Sequence, residues 1–115
     1  MANTFKLVTK AGVTSADVIY TVAGSTTTVV LGIMLGNTTS SQVTATVTIE
    51  SDTSNRAGAN NEANQNVELV TNAPIPSGAS LELLAGNKVI METTDVLKLT
   101  ATGATDIALS IMEIT

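Results

Sequence analysis

The side chains in this sequence that could do chemistry are its carboxylates: Asp17, Glu50, Asp52, Glu62, Glu68, Glu82, Glu92, Asp95, Asp106 and Glu113. Two such groups at the right separation can run glycoside hydrolysis, but a sugar cleft also needs aromatic platforms, and the chain holds one Phe, one Tyr and no Trp. Histidine and cysteine are both absent. Their absence removes the Ser-His and Cys-His nucleophile pairs and the usual transition-metal ligands. Asp52-Thr53-Ser54-Asn55 offers oxygen ligands for Ca²⁺ but lacks the EF-hand pattern, so it reads as loop. No phosphate-cradling glycine motif occurs, and the eight glycines read as turn residues. Asn37-Thr38-Thr39 matches the N-glycosylation pattern and reads as a turn. The acids are therefore expected to be solvated strand and turn residues, with no catalytic residue, cofactor or metal.

Composition narrows the partners. The chain is 43% hydrophobic and only 13% charged, where about 25% is ordinary. Such a surface is either coated with Thr, Ser and Asn or partly hidden in contacts. The formal net charge is −5 and the five basic residues, Lys6, Lys10, Arg56, Lys88 and Lys98, are scattered. Nothing resembles a basic stripe with stacking aromatics, so nucleic acid is not an expected partner. An anionic membrane surface is disfavoured for the same lack of cations. The longest apolar run, 29–35, is far shorter than the roughly 20 residues of a membrane-spanning helix. MANTFKLVTK alternates polar and apolar residues and lacks the continuous apolar core of a secretory signal. Synthesis in the cytoplasm without processing is expected.

The elements that would position any site are strands. At 42–50, Val43, Ala45, Val47 and Ile49 take one face while Thr44, Thr46, Thr48 and Glu50 take the other, the alternation of a half-buried antiparallel strand. The preceding 27–35 reads as a strand apolar on both sides, with Val29, Leu31, Ile33 and Leu35 against Val30 and Met34. Gly36 to Ser41 supplies turn chemistry between the two, predicting a hairpin. Further strands are expected at 4–9, 17–22, 66–71, 80–84, 88–92, 95–101 and 106–114. Pro74 and Pro76 are expected to break pairing after 71. The stretch 51–64, SDTSNRAGANNEAN, has no usable apolar face and reads as a long loop, functional or mobile. About nine short strands with frequent turn signals and no helical stripe predict a single all-β domain over 1–115, an antiparallel β-sandwich of jelly-roll type.

Two features point to contact with other chains. Strands 27–35 and 106–114 carry apolar residues on both sides, more than one sandwich core needs. Burial of both strands at the centre of the sheet, covered by loops, would explain the same pattern. Residues 1–10 form either an arm that pairs with a neighbour's sheet edge or the first strand of the domain. The candidate interface residues from these segments are Phe5, Leu7, Val30, Met34, Met112 and Ile114.

Three stretches, TTTVVLGIMLGNTTSSQVTATVTI, APIPSGASLELLAGNKVIMETTDVLKLTA and DIALSIMEIT, together resemble small virion structural proteins of tailed bacteriophages. The likeness runs from about Asp17 to Thr115, with 51–64 the least matched. It implies a β-sandwich that assembles on the particle, most often as a capsid decoration or cement protein, and transfers no catalytic residue. The expectation is a homotrimer bound to the major capsid protein of the virion. The alternatives are a neck or tail accessory protein and, from another class, a receptor- or carbohydrate-binding module using loop 51–64.

Overall fold

The protein is described here by a computed structural model covering residues 2–51, 65–84 and 86–115. The long stretch 51–64 lies outside the described residues except for Ser51, so neither its loop role nor the Asp52 oxygen cluster enters the structure. Nine strands are present among the described residues: β1 (Asn3–Val13), β2 (Asp17–Thr21), β3 (Thr27–Asn37), β4 (Val43–Ser51), β5 (Gln65–Ile75), β6 (Ser80–Leu83), β7 (Val89–Met91), β8 (Val96–Ala101) and β9 (Thr105–Ile114). No helix occurs among the described residues. β1, β3 and β5 reach 11 residues each, longer than turn spacing alone suggested.

The strands form two antiparallel sheets. One runs β1-β9-β3-β6 with β7 also on β3, and the other runs β2-β8-β4-β5. The pairing is nested: β1 joins β9, β2 joins β8, β3 joins β6 and β7, and β4 joins β5. A chain folded back on itself at the β4–β5 connection and then wrapped into a sandwich gives this order, which is the jelly roll. The strand opposite β3 is divided, β6 and β7 each taking part of its length. β1 pairs with β9 of the same chain from Asn3 to Val13, with an irregularity between Lys10 and Val13.

The nesting corrects the expected β3–β4 hairpin. The two strands lie in different sheets, and the segment between them crosses the end of the sandwich. Alternation reports which face of a strand is buried but not which sheet the strand joins. Asn37 holds the crossing. Its side chain is 4% exposed; Nδ2 donates to the carbonyls of Ser41 (2.8 Å) and Ile75 (2.9 Å), and Oδ1 accepts from the Thr39 amide and hydroxyl, both at 2.8 Å. An amide has two donors and two lone pairs, and here all are used: one bond ties β3 to Ile75 at the end of β5, and three hold the connecting segment through Thr39 and Ser41. The glycosylation-like Asn37-Thr38-Thr39 is therefore an internal staple. Gly36 and Asn37, expected to turn, are instead the last residues of β3.

Two further expectations change for physical reasons. Pro74 sits inside β5, opposite Thr44. It is tolerated because β5 is an edge strand whose outer side needs no donor. The chain reverses only after Pro76, where the Ala79 amide donates to the Pro76 carbonyl at 3.0 Å and Gly78 takes φ 71°. In β3 the side-chain phase also breaks. The register with β9 slips between Val30 and Gly32, a bulge that places two residues against one. Thr28 and Val30 point inward before it, and Ile33, Leu35 and Asn37 after it.

The core lies between the sheets. Val30, Ile33, Leu35, Leu109 and Ile111 from one side meet Val47, Leu97 and Leu99 from the other, all 0–1% exposed. Branched aliphatics dominate because they suit the pleat and fill it without polar atoms. Burying a side chain of this kind stabilises by about 1.5–3 kcal/mol, so these rows provide the fold's main driving force.

The Asn37 staple yields a direct test. Asn37→Ala leaves the buried Ile75 carbonyl without its side-chain donor and is expected to lower stability by about 2 kcal/mol, read as a shift of the urea midpoint. Asn37→Asp, which cannot donate to the two carbonyls, should lose a comparable amount.

Candidate functional site

The two sandwich faces that look away from the core differ in kind. On the four-stranded sheet, β4 alternates strictly, so Thr44, Thr46, Thr48 and Glu50 point outward. β8 sets Lys98 beside Thr48 and Thr100 beside Thr46, and Lys98 Nζ reaches Glu50 Oε2 at 2.9 Å. Val18 of β2 stands outward beside Lys98 and is 46% exposed, while the Thr, Lys and Glu side chains of this face suit water.

On the five-stranded sheet the outward residues at one end are mostly apolar. The register aligns Phe5 of β1 with Met112 of β9, Met112 with Val29 of β3, and Val29 with Ile90 of β7. These four form one row across the sheet. Above it Ile114 of β9 stands between Asn3 and Thr27, and below it Leu7 stands beside Ser110 and then Gly32. Phe5 is 72% exposed, Leu7 67%, Ile90 60% and Met34 49%. Toward the other end the outward residues are Ala108, Gly36 and Ser80, with Asp106 beside Gly36. There the surface sinks into a trough of about 340 Å³, flanked by Thr9 and Lys10, that continues into a hollow of about 240 Å³ over Gly32 and Ser110. Met34 rises between the two.

Five of the six sequence candidates, Phe5, Leu7, Met34, Met112 and Ile114, thus meet on one face. Val30 does not. It is fully buried on the core side of β3, because the bulge after it reverses the phase that paired it with Met34. Sequence reading missed Val29, assigned to the opposite side from Met34, and Ile90, in a strand too short to show alternation. It also missed the trough, having placed every glycine at a turn. A glycine inside an apolar strand pattern was the available signal.

The carboxylates have structural work. Asp17 pairs with Lys10 at 2.9 Å, the Asp106 carboxylate accepts the Gly12 amide at 2.8 Å, Glu68 accepts the Thr71 hydroxyl, and Asp95 accepts the Glu92 amide at 3.0 Å. Among the described residues, no group of three or more His, Cys, Asp or Glu side chains is arranged to hold a metal ion.

Glu113 anchors a polar clamp behind the apolar row. Lys6 of β1 reaches its Oε1 at 2.7 Å, and the Tyr20 hydroxyl of β2 donates to its Oε2 at 2.6 Å. Tyr20 has one proton to give, so the Thr28 hydroxyl of β3, 2.7 Å away, donates to the phenolic oxygen. The clamp joins the two sheets through three strands of one and one strand of the other. Burial, then the neighbouring Glu113 carboxylate, push the Tyr20 phenol up to about 12. The Lys6 ammonium, then the Tyr20 hydroxyl, hold the Glu113 carboxyl below its ordinary value.

No protein-family profile matches the sequence and no curated protein is recognisably similar to it. In structure the chain is similar to a subunit of Bacillus endospore appendages, which form a family of disulfide-linked pili, with TM-score 0.51 and 14% identity over 99% of this chain and 87% of that one. A chain from infectious bursal disease virus, Gx strain, aligns with TM-score 0.47 and 9% identity over 98% of this chain and 37% of that one. The endospore likeness is one of fold, spanning the whole sandwich.

The clamp sets a pH dependence at both extremes. Because the folded phenol is raised, the stability from Tyr20 is fully present below about pH 10 and is lost as pH rises towards about 12. The Glu113 contribution runs the other way, present above the ordinary carboxylate value and lost as pH falls below it. The chain has a single Tyr and no Trp, so phenolate absorbance reports this residue alone. Its midpoint is expected near 12 in the folded protein and near 10 in denaturant, and Tyr20→Phe should remove the alkaline loss of stability.

Proposed function

We propose that this chain is a non-enzymatic structural subunit of a virion, a decoration protein that binds outside the major capsid shell of a tailed phage and reinforces it. The observation that carries the reading is the contrast between the two outer faces. One is dressed mainly in Thr hydroxyls and an ion pair, with Val18 as its exposed apolar residue beside Lys98, and the other presents Phe5, Leu7, Met112, Val29 and Ile90 in adjoining rows. A freely soluble monomer gains nothing from the second face, whereas a subunit of an assembly uses it.

The resemblance of the strand-and-turn stretches to phage virion proteins supports the location. The jelly-roll wrapping suits a small subunit, since it closes one core between two sheets and leaves two broad faces for neighbours. The endospore appendages similar to it in fold are disulfide-linked. These 115 residues contain no cysteine, so their assembly must rest on noncovalent surfaces. Modest affinity per copy is enough on a shell that offers many sites.

Quantitative mass spectrometry of purified particles tests this. Copy numbers in the hundreds per virion are expected of a decoration protein. A dozen or fewer would move the chain to the neck or tail, and its absence from particles would end the virion reading.

A further inference from the structure

Gly36 has no evident purpose among the described residues of its own chain. It lies in β3 with no left-handed φ, and a Cβ built on it would meet nothing within 4 Å. Gly32 also has open space above it, although the neighbouring bulge gives it a second reason to be small. Glycine in a strand interior weakens the strand and commonly marks a place that another backbone approaches closely. No described residue of the chain makes that approach, which leaves it to a partner. Ala108 and Ser110 of β9 and Ser80 of β6 keep the same surface low.

We propose that a second copy of this chain seats on the outer face of the five-stranded sheet across a two-fold axis. The apolar row of each copy then lies in the small-residue trough of the other. The inference rests on the reading of the chain as an assembling structural subunit and names the partner of this face.

Shape carries the choice of occupant. The face holds a ridge at one end, along Phe5, Met112, Val29 and Ile90, and a hollow at the other, over Gly36, Ala108 and Ser80. A two-fold axis in the plane of the face reverses the ends, so ridge meets hollow twice, as an isologous interface requires. The ridge itself is uncharged, whereas in the hollow Asp106 stands beside Gly36 with its carboxylate on the Gly12 amide, and Glu82 stands beside Met34.

Area agrees as well. Four strand positions at about 4.8 Å spacing and about 35 Å of strand length give roughly 650 Å² of projected sheet. Side-chain relief raises this towards the roughly 800 Å² that each partner contributes to a stable interface. The face of one copy is therefore about the size its own pair needs.

Light scattering after size exclusion, at hundreds of micromolar, should give the wild-type chain a mass of two subunits. Gly36→Val, which favours the strand but fills the trough, should give one subunit with an unfolding temperature that does not fall once the loss of pairing is allowed for by comparison with Leu7→Lys. Thr46→Lys, on the polar face, should remain a pair. Met112→Lys and Ala108→Asp should each be single alone and recover a two-subunit species when mixed, because ridge then meets hollow with opposite charges. A wild-type mass of one subunit, or of the three that the phage resemblance implied, overturns the proposal, as does a pair that Gly36→Val leaves intact. Those results are independent of copy number on the virion: absence from particles would defeat the functional reading and leave the pair standing.

Discussion

The constraint on which this structure depends is that a two-layer β sandwich has four sheet surfaces but only one interior. The two inner surfaces are resolved by each other, through Val30, Ile33, Leu35, Leu109 and Ile111 against Val47, Leu97 and Leu99. The two outer surfaces must each be matched to something else. Thr and a Lys–Glu pair match one to water. The other is matched to water nowhere along its apolar rows, and from that imbalance come both the functional reading and the choice of partner.

The elements that hold the sandwich together are placed to make that face firm. β9 is the central strand beneath it, bonded to β1 on one side and β3 on the other. Glu113 fixes the end of β9 to Lys6 and Tyr20, directly behind Met112 and Ile114. The ridge therefore stands on a strand held from both sides and from below. At the opposite end Asn37 anchors β3 just past Gly36, which keeps the trough floor in place even though a strand-interior glycine gives up about 0.5–1 kcal/mol relative to alanine.

How much of this could be read from sequence depended on whether a feature was local. The alternation of Val and Thr in β4 is local, and strand, face and class followed from it. All nine strands could be located because turns and β-branched runs are local too. Sheet membership is not: β3 and β4 are neighbours in sequence yet belong to opposite layers, and only the nested pairing with β9 and β5 reveals it. A bulge is equally invisible, so Val30 was set on the wrong side. Pro74 looked like a breaker until the sheet made its strand an edge. Five of the six interface candidates converged on one face because apolar residues opposite buried ones are legible strand by strand. The trough was not, since it consists of missing side chains on three strands whose adjacency is set by the fold.

The most direct test of the central claim is hydroxyl-radical footprinting of the chain, dilute and then assembled on the phage particle proposed for it, with oxidation read residue by residue. Met34 and Phe5 stand exposed on the five-stranded face, while Met91 is buried and serves as an internal control. The account predicts strong labelling of Met34 and Phe5 in the dilute protein, loss of that labelling on assembly, and little change at Val18 on the other sheet. Undiminished labelling of Met34 and Phe5 in the assembled state, with protection appearing instead over the threonine face, would contradict it.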